Sequence, residues 1–387
     1  MKIALFHPWI KSKGGAERVV LEFLKNTKHD VDVYTWIYDR KNTFDEFKKF
    51  KIKVIAPKFA KKLSRYYVFR GLFFPIALFS KIPLEKYDAF LISTGGLAEF
   101  ITFRNYKPNR TYAYVHTILR AAYKEDIRWN LKYRYKNPFS KLAYLLAAYI
   151  YKFFEKKAWK RIDVGIFNSE LSLKRAREHN LIKGKKVYIV YPPVNIEKFR
   201  KIKVKKGDFF LYPARFNMSK RQDILLKAWE KFVKKYSDYK LILVGNIENK
   251  KYFEKIKELV KNTKNVEIKI NISDEELLRL YANCLAVIFV PFMEDFGIVP
   301  FEAVAAGKPL IAVNKGGYVN LIKKYYNSNT VWIKENEKNF VENIVESLEK
   351  FFKRNPTGEK ISLIEINNKN FARKIDCILE CKACFKK

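Results

Sequence analysis

Disulfide scaffolding, membrane-spanning helices and a metal-binding motif are all missing from this sequence. Cysteine is scarce, four in 387 residues, too few for a disulfide framework. Cys377, Cys381 and Cys384 gather near the end, the last two at C-x-x-C spacing. A zinc site needs a further ligand and a partner knuckle, which the neighbourhood lacks, so reduced thiols on a terminal helix are expected. The longest strongly apolar stretches, around 72–79 and 142–154, are interrupted or too short to span a bilayer as helices. Met1 leads directly into a strand without a cleavable apolar segment, so no signal peptide is expected. Acidic residues are outnumbered, 40 against 78 basic ones, for a formal charge of +38. That charge admits nucleic acid, an anionic membrane surface and anionic small molecules as attractors. Lysine is spread along the whole chain, as a genomic lysine bias would also spread it.

What is present begins with enough apolar material, 48% of residues, for the cores of two ordinary domains. The densest signal is 293–317, MEDFGIVPFEAVAAGKPLIAVNKGG. It follows an apolar run, 284–290, that reads as a buried strand closed by Pro291. Gly297 permits a tight turn and Pro300 suits the first position of a helix. Residues 301–306 are helical in composition, and Gly307-Lys308-Pro309 ends them. A second strand, 310–313, runs into Gly316-Gly317. Such a strand–helix–strand unit sets glycines and two carboxylates at a strand's carboxyl end, where open α/β sheets bind ligands. Glu294 falls in the loop and Glu302 in the first turn of the helix. Free amides at that helix start attract phosphate, and the carboxylates can accept hydroxyls; a sugar nucleotide offers both. From this stretch alone, a capping role for Glu302 reads equally well.

Strands and helices alternate elsewhere too. Strands are expected at 2–6, 31–36, 54–55, 89–93, 111–115, 164–167 and 187–190, then at 209–213, 241–244 and 266–270. His7-Pro8-Trp9 ends the first strand. A basic Gly14-Gly15 loop follows, which can cradle a phosphate or admit a sugar, although a bare Gly-Gly is often a mere turn. A helix is expected over 16–25. His116 ends the strand at 111–115, with Arg120 just beyond; a strand-end histidine lies where ligands sit, although a lone histidine is often structural. Ser169 caps a helix over 170–178. Tyr191-Pro-Pro-Val-Asn195 stiffens the chain, and a lysine-rich linker to Gly207 marks a domain boundary. In the second half, Arg215 and Lys220 flank a strand-to-helix loop, so both cations can converge on one anion beside its amides; solvated surface charge is the plain alternative. Helices are expected up to Lys235 and over 252–261, after Ser273 with Glu276 at capping-box spacing, and over 340–352 and 371–379. No short-period repeat occurs. The expectation is an α/β chain of two doubly wound domains with a cleft between them.

Two segments stand apart. Residues 58–83 interleave Lys and Arg with Tyr, Phe, Leu and Ile, and 129–161 reads as one long amphipathic helix of the same character. Such segments suit an anionic membrane interface; a core helix with a solvated basic face is the alternative.

Taken together, Glu294-x7-Glu302 within EDFGIVPFEAVAAGKPLIA, GGAERV at 14–19, YVHT at 114–117, FNSE at 167–170, YPPVN at 191–195, Arg215 with Lys220, and SDEEL at 273–277 resemble the family-4 retaining glycosyltransferases. Any one motif is ordinary; all of them in this order are specific, and they cover nearly the full chain. The resemblance implies a GT-B fold: an acceptor-binding Rossmann-like domain over 1–200, a nucleotide-sugar-binding one over 201–365, and a C-terminal helix, 366–387, returning to the first. GGAERVV and EDFGIVPFEA are closest in flavour to mannosyltransferases that use GDP-mannose, including those that extend lipid-linked oligosaccharides. By that resemblance Arg215 and Lys220 bind the donor diphosphate and stabilise the departing nucleotide, as fixed cations favour developing phosphate charge. Glu302 holds ribose hydroxyls and Glu294 those of the transferred sugar, with Phe296, Gly297, Ile298 and Val299 beside the donor. Gly15 borders the donor, while Gly14, His116 and Arg120 stand on the acceptor side. His116 orients a sugar hydroxyl and is not assigned as a nucleophile. No Asp-x-Asp motif stands in the expected place, so metal-independent catalysis without a resident cofactor is expected. Asn320 stands where Gly-Gly-x-x-Glu places an acid, which puts that acid's contact in doubt, and Ile270 replaces a common glycine.

The implied reaction moves a hexose, in first place mannose, to a glycan or a polyprenyl- or dolichyl-linked acceptor, by a peripheral enzyme on the cytoplasmic membrane face. The alternatives are a UDP-hexose or UDP-N-acetylhexosamine transferase of the same fold, a sugar-nucleotide epimerase, and a nucleic-acid-binding protein. Against the last, the basic residues follow no recognition-helix or RNA-binding motif, so no nucleic-acid partner is expected.

Overall fold

The structure is a computed structural model describing residues 1–56, 73–195, 197–205, 207–361 and 363–380. It divides into two compact units, Met1–Pro193 with Asn368–Lys387, and Val194–Asn367. Most of the basic–aromatic segment 58–83, along with Cys381 and Cys384, lies outside the described residues. Cys377 is disulfide-bonded rather than a reduced thiol.

The strands of the first unit are β1 (Lys2–Phe6), β2 (Trp9–Ile10), β3 (Asp30–Thr35), β4 (Ile37–Tyr38), β5 (Ile52–Val54), β6 (Ala89–Thr94), β7 (Thr111–Val115), β8 (Val164–Phe167) and β9 (Lys186–Ile189). Seven of them form one sheet in the order β5-β3-β1-β6-β7-β8-β9, every pairing parallel. β2 and β4 form a small parallel pair of their own. Parallel strands covered on both faces read as near-continuous apolar runs, and β6, β7 and β8 are buried at every position. Alternation along β1 serves both faces: Ile3 and Leu5 join one core layer with Leu91 and Tyr112, while Ala4 and Phe6 join another with Phe90 and Ile92.

Helices of this unit are α1 (Gly15–Asn26), α2 (Phe73–Phe79), α3 (Lys124–Tyr133), α4 (Pro138–Trp159) and α5 (Glu170–Glu178). The single helix expected over 129–161 is therefore two. Pro138 has no N–H to continue a ladder and opens α4 instead, while the Asn137 side chain accepts the Ser140 N–H at 2.7 Å. Ala148, Glu155, Ala158 and Trp159 bury one face of α4. Its opposite face presents Phe139, Leu142, Leu146 and Tyr149 to solvent, Phe139 at 87% exposure and Tyr149 at 74%. Among the described residues no helix is long and apolar enough to cross a membrane.

The second unit contains α6 (Glu197–Arg200), β10 (Phe209–Pro213), α7 (Gln222–Val233), β11 (Lys240–Val244), α8 (Lys250–Lys261), β12 (Val266–Lys269), α9 (Asp274–Asn283), β13 (Ala286–Phe289), α10 (Ile298–Ala305), β14 (Leu310–Val313), α11 (Val319–Tyr325), β15 (Thr330–Ile333) and α12 (Phe340–Arg354). Its sheet runs β12-β11-β10-β13-β14-β15, again all parallel. Ser273 caps α9 by accepting the Glu276 N–H, as its spacing predicts. α11 and β15 escape the sequence reading, because a short helix and strand beside Asn-Ser-Asn carry too little periodicity.

The last helix, α13 (Asn368–Leu379), belongs to the first unit. Phe371, Ala372, Ile375, Ile378 and Leu379 enter the same core as Val19, Val20, Phe23 and Leu24 of α1. Burying an aliphatic or aromatic side chain contributes about 1.5–3 kcal/mol. Asp376 adds direction to this packing, accepting from Thr27 Oγ1 at 2.6 Å and from the Lys28 N–H at 3.2 Å.

Candidate active site

Both sheets reverse their strand order once, between β1 and β6 and between β10 and β13. Such switch points open crevices at the strands' carboxyl ends. Most of the residues singled out from the sequence fall there, in one cluster per unit.

In the second unit, β10 ends at Pro213 and the loop 214–221 leads into α7. Asn217 accepts the Ser219 N–H at 2.9 Å, and Gln222 Nε2 donates to the Arg215 carbonyl at 3.0 Å. Arg221 takes a left-handed conformation at φ 55° as the loop turns into the helix. The facing loop, after β13, is tied to this one where the Phe292 N–H donates to the Ser219 carbonyl at 2.7 Å. These ties bring Lys220 Nζ to 2.5 Å from Glu294 Oε2, both side chains partly exposed. The backbone of Glu294 is pinned as well, since the Gly317 N–H donates to its carbonyl at 3.0 Å.

Gly297 precedes α10 at φ 84°, and a Cβ there would lie 2.9 Å from the Tyr318 ring, so only glycine fits. α10 begins at Ile298, which makes Pro300 its third residue rather than its first. Pro remains tolerated because first-turn N–H groups have no intrahelical partner. The same shift moves Glu302 out of the first turn. With Gly297 at the N-cap, the capping-box position three residues on is Pro300, so Glu302 does not stand at capping spacing. Glu302 instead accepts from Tyr281 Oη at 2.7 Å. Phe296 is buried and stacks on Phe301 at 4.8 Å. The N–H groups of Ile298 and Val299 stand in the opening turn of α10, the end of a helix that favours an anion.

Arg215 lies elsewhere on the loop. Its guanidinium is 3.3 Å from Glu248 and more than half exposed. Arg215 and Lys220 are thus paired to different carboxylates rather than gathered on one group.

In the first unit, Gly14 stands at the N-terminus of α1 and Gly15 is its first residue. A Cβ at Gly14 would collide with the Glu17 carboxylate, which also accepts from Ser12 Oγ at 2.9 Å. His116 follows β7, with its N–H on the Thr94 carbonyl at 2.9 Å and its carbonyl held by Asn168 Nδ2 at 2.7 Å. Its Nε2 lies 2.8 Å from Ser93 Oγ, and the same hydroxyl lies 3.0 Å from Nδ1 of His7. Burial pushes the His7 imidazole down to about 4, against the opposing carbonyls of Ser93 and Trp9. Burial and the neighbouring His7 push His116 down to about 3. Both rings are neutral at physiological pH, so His116 offers hydrogen bonds and no charge. Arg120 is engaged with Asp126 at 3.0 Å.

Sequence reasoning missed two groups in this unit. His7 and Ser93 are one; a histidine at the end of β1 was the available signal. Glu99 and Glu155 are the other, with no signal beyond a carboxylate on the inward face of an amphipathic helix. Glu155 accepts the Leu119 N–H at 2.9 Å and Tyr123 Oη at 2.5 Å, which ties α4 to the segment after His116. Glu99 is hydrogen-bonded to Thr94. Burial raises both carboxyls above the ordinary range, and Glu99 raises Glu155 further. Among the described residues no three His, Cys, Asp or Glu side chains converge to hold a metal ion.

Residues 13–198 match the family described as Glycosyltransferase Family 4, and residues 194–364 the one described as Glycosyl transferases group 1. With two doubly wound parallel sheets, these matches define the class: the chain belongs to the family-4 glycosyltransferases of GT-B fold. It is related to mannosyltransferases. The human GDP-Man:Man(3)GlcNAc(2)-PP-Dol alpha-1,2-mannosyltransferase is 25% identical to it, over 90% of this chain and 80% of that protein. Alpha-1,3/1,6-mannosyltransferase ALG2 of Kluyveromyces lactis is 23% identical, over 98% of this chain and 85% of its own length. Solved structures share the fold. Sucrose-phosphate synthase from Thermosynechococcus elongatus superposes with a TM-score of 0.68 at 16% identity, covering 98% of this chain and 95% of that one. Anabaena Alr3699/HepE in complex with UDP superposes at 0.61 and 18% identity, covering 97% and 95%.

Proposed function

We propose that this glycosyltransferase moves mannose from GDP-mannose, with retention of anomeric configuration, to a lipid-linked glycan. The observation that carries the reading is the meeting of Lys220 with Glu294 at the switch point of the second sheet, in the loops that lead into α7 and α10. A donor sugar nucleotide needs a cation for its diphosphate and a carboxylate for its sugar hydroxyls at adjacent points. Mannose, GDP and the lipid-linked acceptor come from the names of the relatives, which align over most of their own length.

In this reading Lys220 turns from Glu294 to the donor diphosphate, Arg215 leaves Glu248 to join it, and α10 adds its first amides. Glu294 then accepts from hydroxyls of the transferred sugar, and Glu302, steadied by Tyr281, accepts from the ribose. The bond from the anomeric carbon to the donor phosphate oxygen breaks as the acceptor oxygen attacks on the same face. The acceptor proton passes to the departing phosphate oxygen. Charge on that phosphate is greatest in the transition state, where fixed cations stabilise it most. Lys220 and Arg215 supply that charge without a metal ion, so chelators leave the rate unchanged. Taken by itself, the first unit offers Gly14 and Gly15 for close approach of a ligand, Arg120 for the acceptor, and His116, a neutral hydrogen-bonding group for a sugar hydroxyl.

The acceptor's lipid brings the enzyme to a membrane. The exposed apolar face of α4, flanked by exposed Lys141, Lys156 and Lys157, suits a peripheral attachment to the anionic cytoplasmic leaflet. A thermal-shift panel of GDP- and UDP-sugars tests the donor. A true donor at 100 times its Kd stabilises the native state by about 2.7 kcal/mol, and GDP-mannose is expected to give the largest shift. A larger shift from a UDP-sugar would overturn the donor assignment, and no shift from any sugar nucleotide would overturn the site.

A further inference from the structure

His7 ends β1, Ser93 lies in β6 and His116 follows β7, and one serine hydroxyl joins the two imidazoles at 3.0 and 2.8 Å. Each neutral ring brings one N–H and one lone pair, and a serine hydroxyl has a single hydrogen. When that hydroxyl donates to one ring, it accepts from the other. The direction of this short chain decides which nitrogen of His116 carries a proton. His7 is almost wholly buried, and its Nε2 makes no hydrogen bond. A buried protein interior tolerates an unmet acceptor better than an unmet N–H, which sets the His7 proton on Nδ1. The chain then runs from His7 Nδ1–H to Ser93 Oγ and from the Ser93 hydroxyl to His116 Nε2. The His116 proton is left on Nδ1.

We infer that His7 is a positioning residue: through Ser93 it fixes His116 in the Nδ1–H tautomer, so that His116 meets a sugar hydroxyl as a hydrogen-bond donor. The inference rests on the reading of His116 as the imidazole that faces the sugar. His116 retains some exposure, whereas His7 and Ser93 lie behind it with about 3% each. His7 therefore acts on the ligand through its neighbours and never by contact.

Two-bond proton–nitrogen spectra of the full chain labelled with 15N-histidine read the tautomer of each ring without any substrate. The expected wild-type spectrum has His116 protonated on Nδ1, and Ser93→Ala redistributes that proton towards Nε2. In transfer assays His7→Phe lowers kcat by about tenfold, the worth of one misdirected hydrogen bond, with KM little changed. His7→Asn, whose side-chain N–H replaces that of Nδ1, recovers most of the rate. A wild-type His116 proton on Nε2 overturns the relay by itself, even if Ser93→Ala fails to fold. A tautomer that ignores Ser93→Ala in a folded protein overturns it too. The expected spectra with an unchanged kcat in His7→Phe leave the relay standing and overturn the sugar-facing reading of His116.

Discussion

Replacing Lys220 with alanine removes a cation from the switch point of the second sheet and leaves Glu294 without its 2.5 Å partner. The two consequences differ in size. As an ion pair, Lys220 and Glu294 keep solvent contact, with side chains 16% and 26% exposed, and such a pair contributes at most about 1 kcal/mol to stability. For a unit of this length that is about 2–4 °C in Tm. In the proposed function the ammonium faces the leaving phosphate and acts on charge that develops during reaction; on that reading, losing one preorganised donor costs about 2.7–4 kcal/mol, or 100- to 1,000-fold in kcat. Lys220→Ala is therefore expected to lose at least 100-fold in kcat with a Tm within a few degrees of wild type. Steady-state transfer of labelled mannose and a thermal melt measure both. A double-mutant cycle with Glu294→Gln separates the roles, because a purely pairwise role makes the double variant no worse than either single one. A loss below tenfold, or a Tm drop large enough to account for the lost activity, would refute the reasoning.

Glu99 and Glu155 set a pH dependence on stability. Both folded-state carboxyls are raised by burial, so the folded protein binds more protons than the unfolded chain above the ordinary glutamate value of about 4.3. Their contribution is fully present below that value and is lost as pH rises through the raised folded values. Melts across pH 4–9 are expected to show Glu155→Gln with a shallower decline than wild type towards alkaline pH; a parallel decline would remove the pair from the account. Changing Phe139, Leu142 and Leu146 together to serine is expected to weaken binding to anionic vesicles on the order of 100-fold. The Tm should barely move, since these side chains are exposed. Cosedimentation that ignores the triple variant would exclude α4 as the membrane-facing element.

Local chemistry made much of this molecule legible from its sequence. Period and punctuation place β1, β7, β8, β10 and β14 at the residues where the sheets have them, and Ser169 and Ser273 cap the helices they precede. Such features depend on a few neighbouring residues, whose steric and hydrogen-bonding preferences operate before any tertiary contact forms. Pro138 shows the limit. It is a local breaker, yet the amphipathic pattern runs through it, and the pattern alone suggests one helix where there are two. Glu294 and Glu302 are marked as a pair by the family resemblance, whereas the start of α10 at Ile298, which takes Glu302 off capping spacing, is seen only in the structure.

Convergence is what only the tertiary structure decided. Lys220 and Glu294 are 74 residues apart, and His7 and Ser93 are 86 apart. Each pair meets because parallel pairing sets β10 beside β13 and β1 beside β6, so the strand ends that face one another are distant in sequence. Burial did the rest. It left His7 and His116 neutral and lifted Glu99 and Glu155 towards protonation, a property of the medium around a group that no residue type carries by itself.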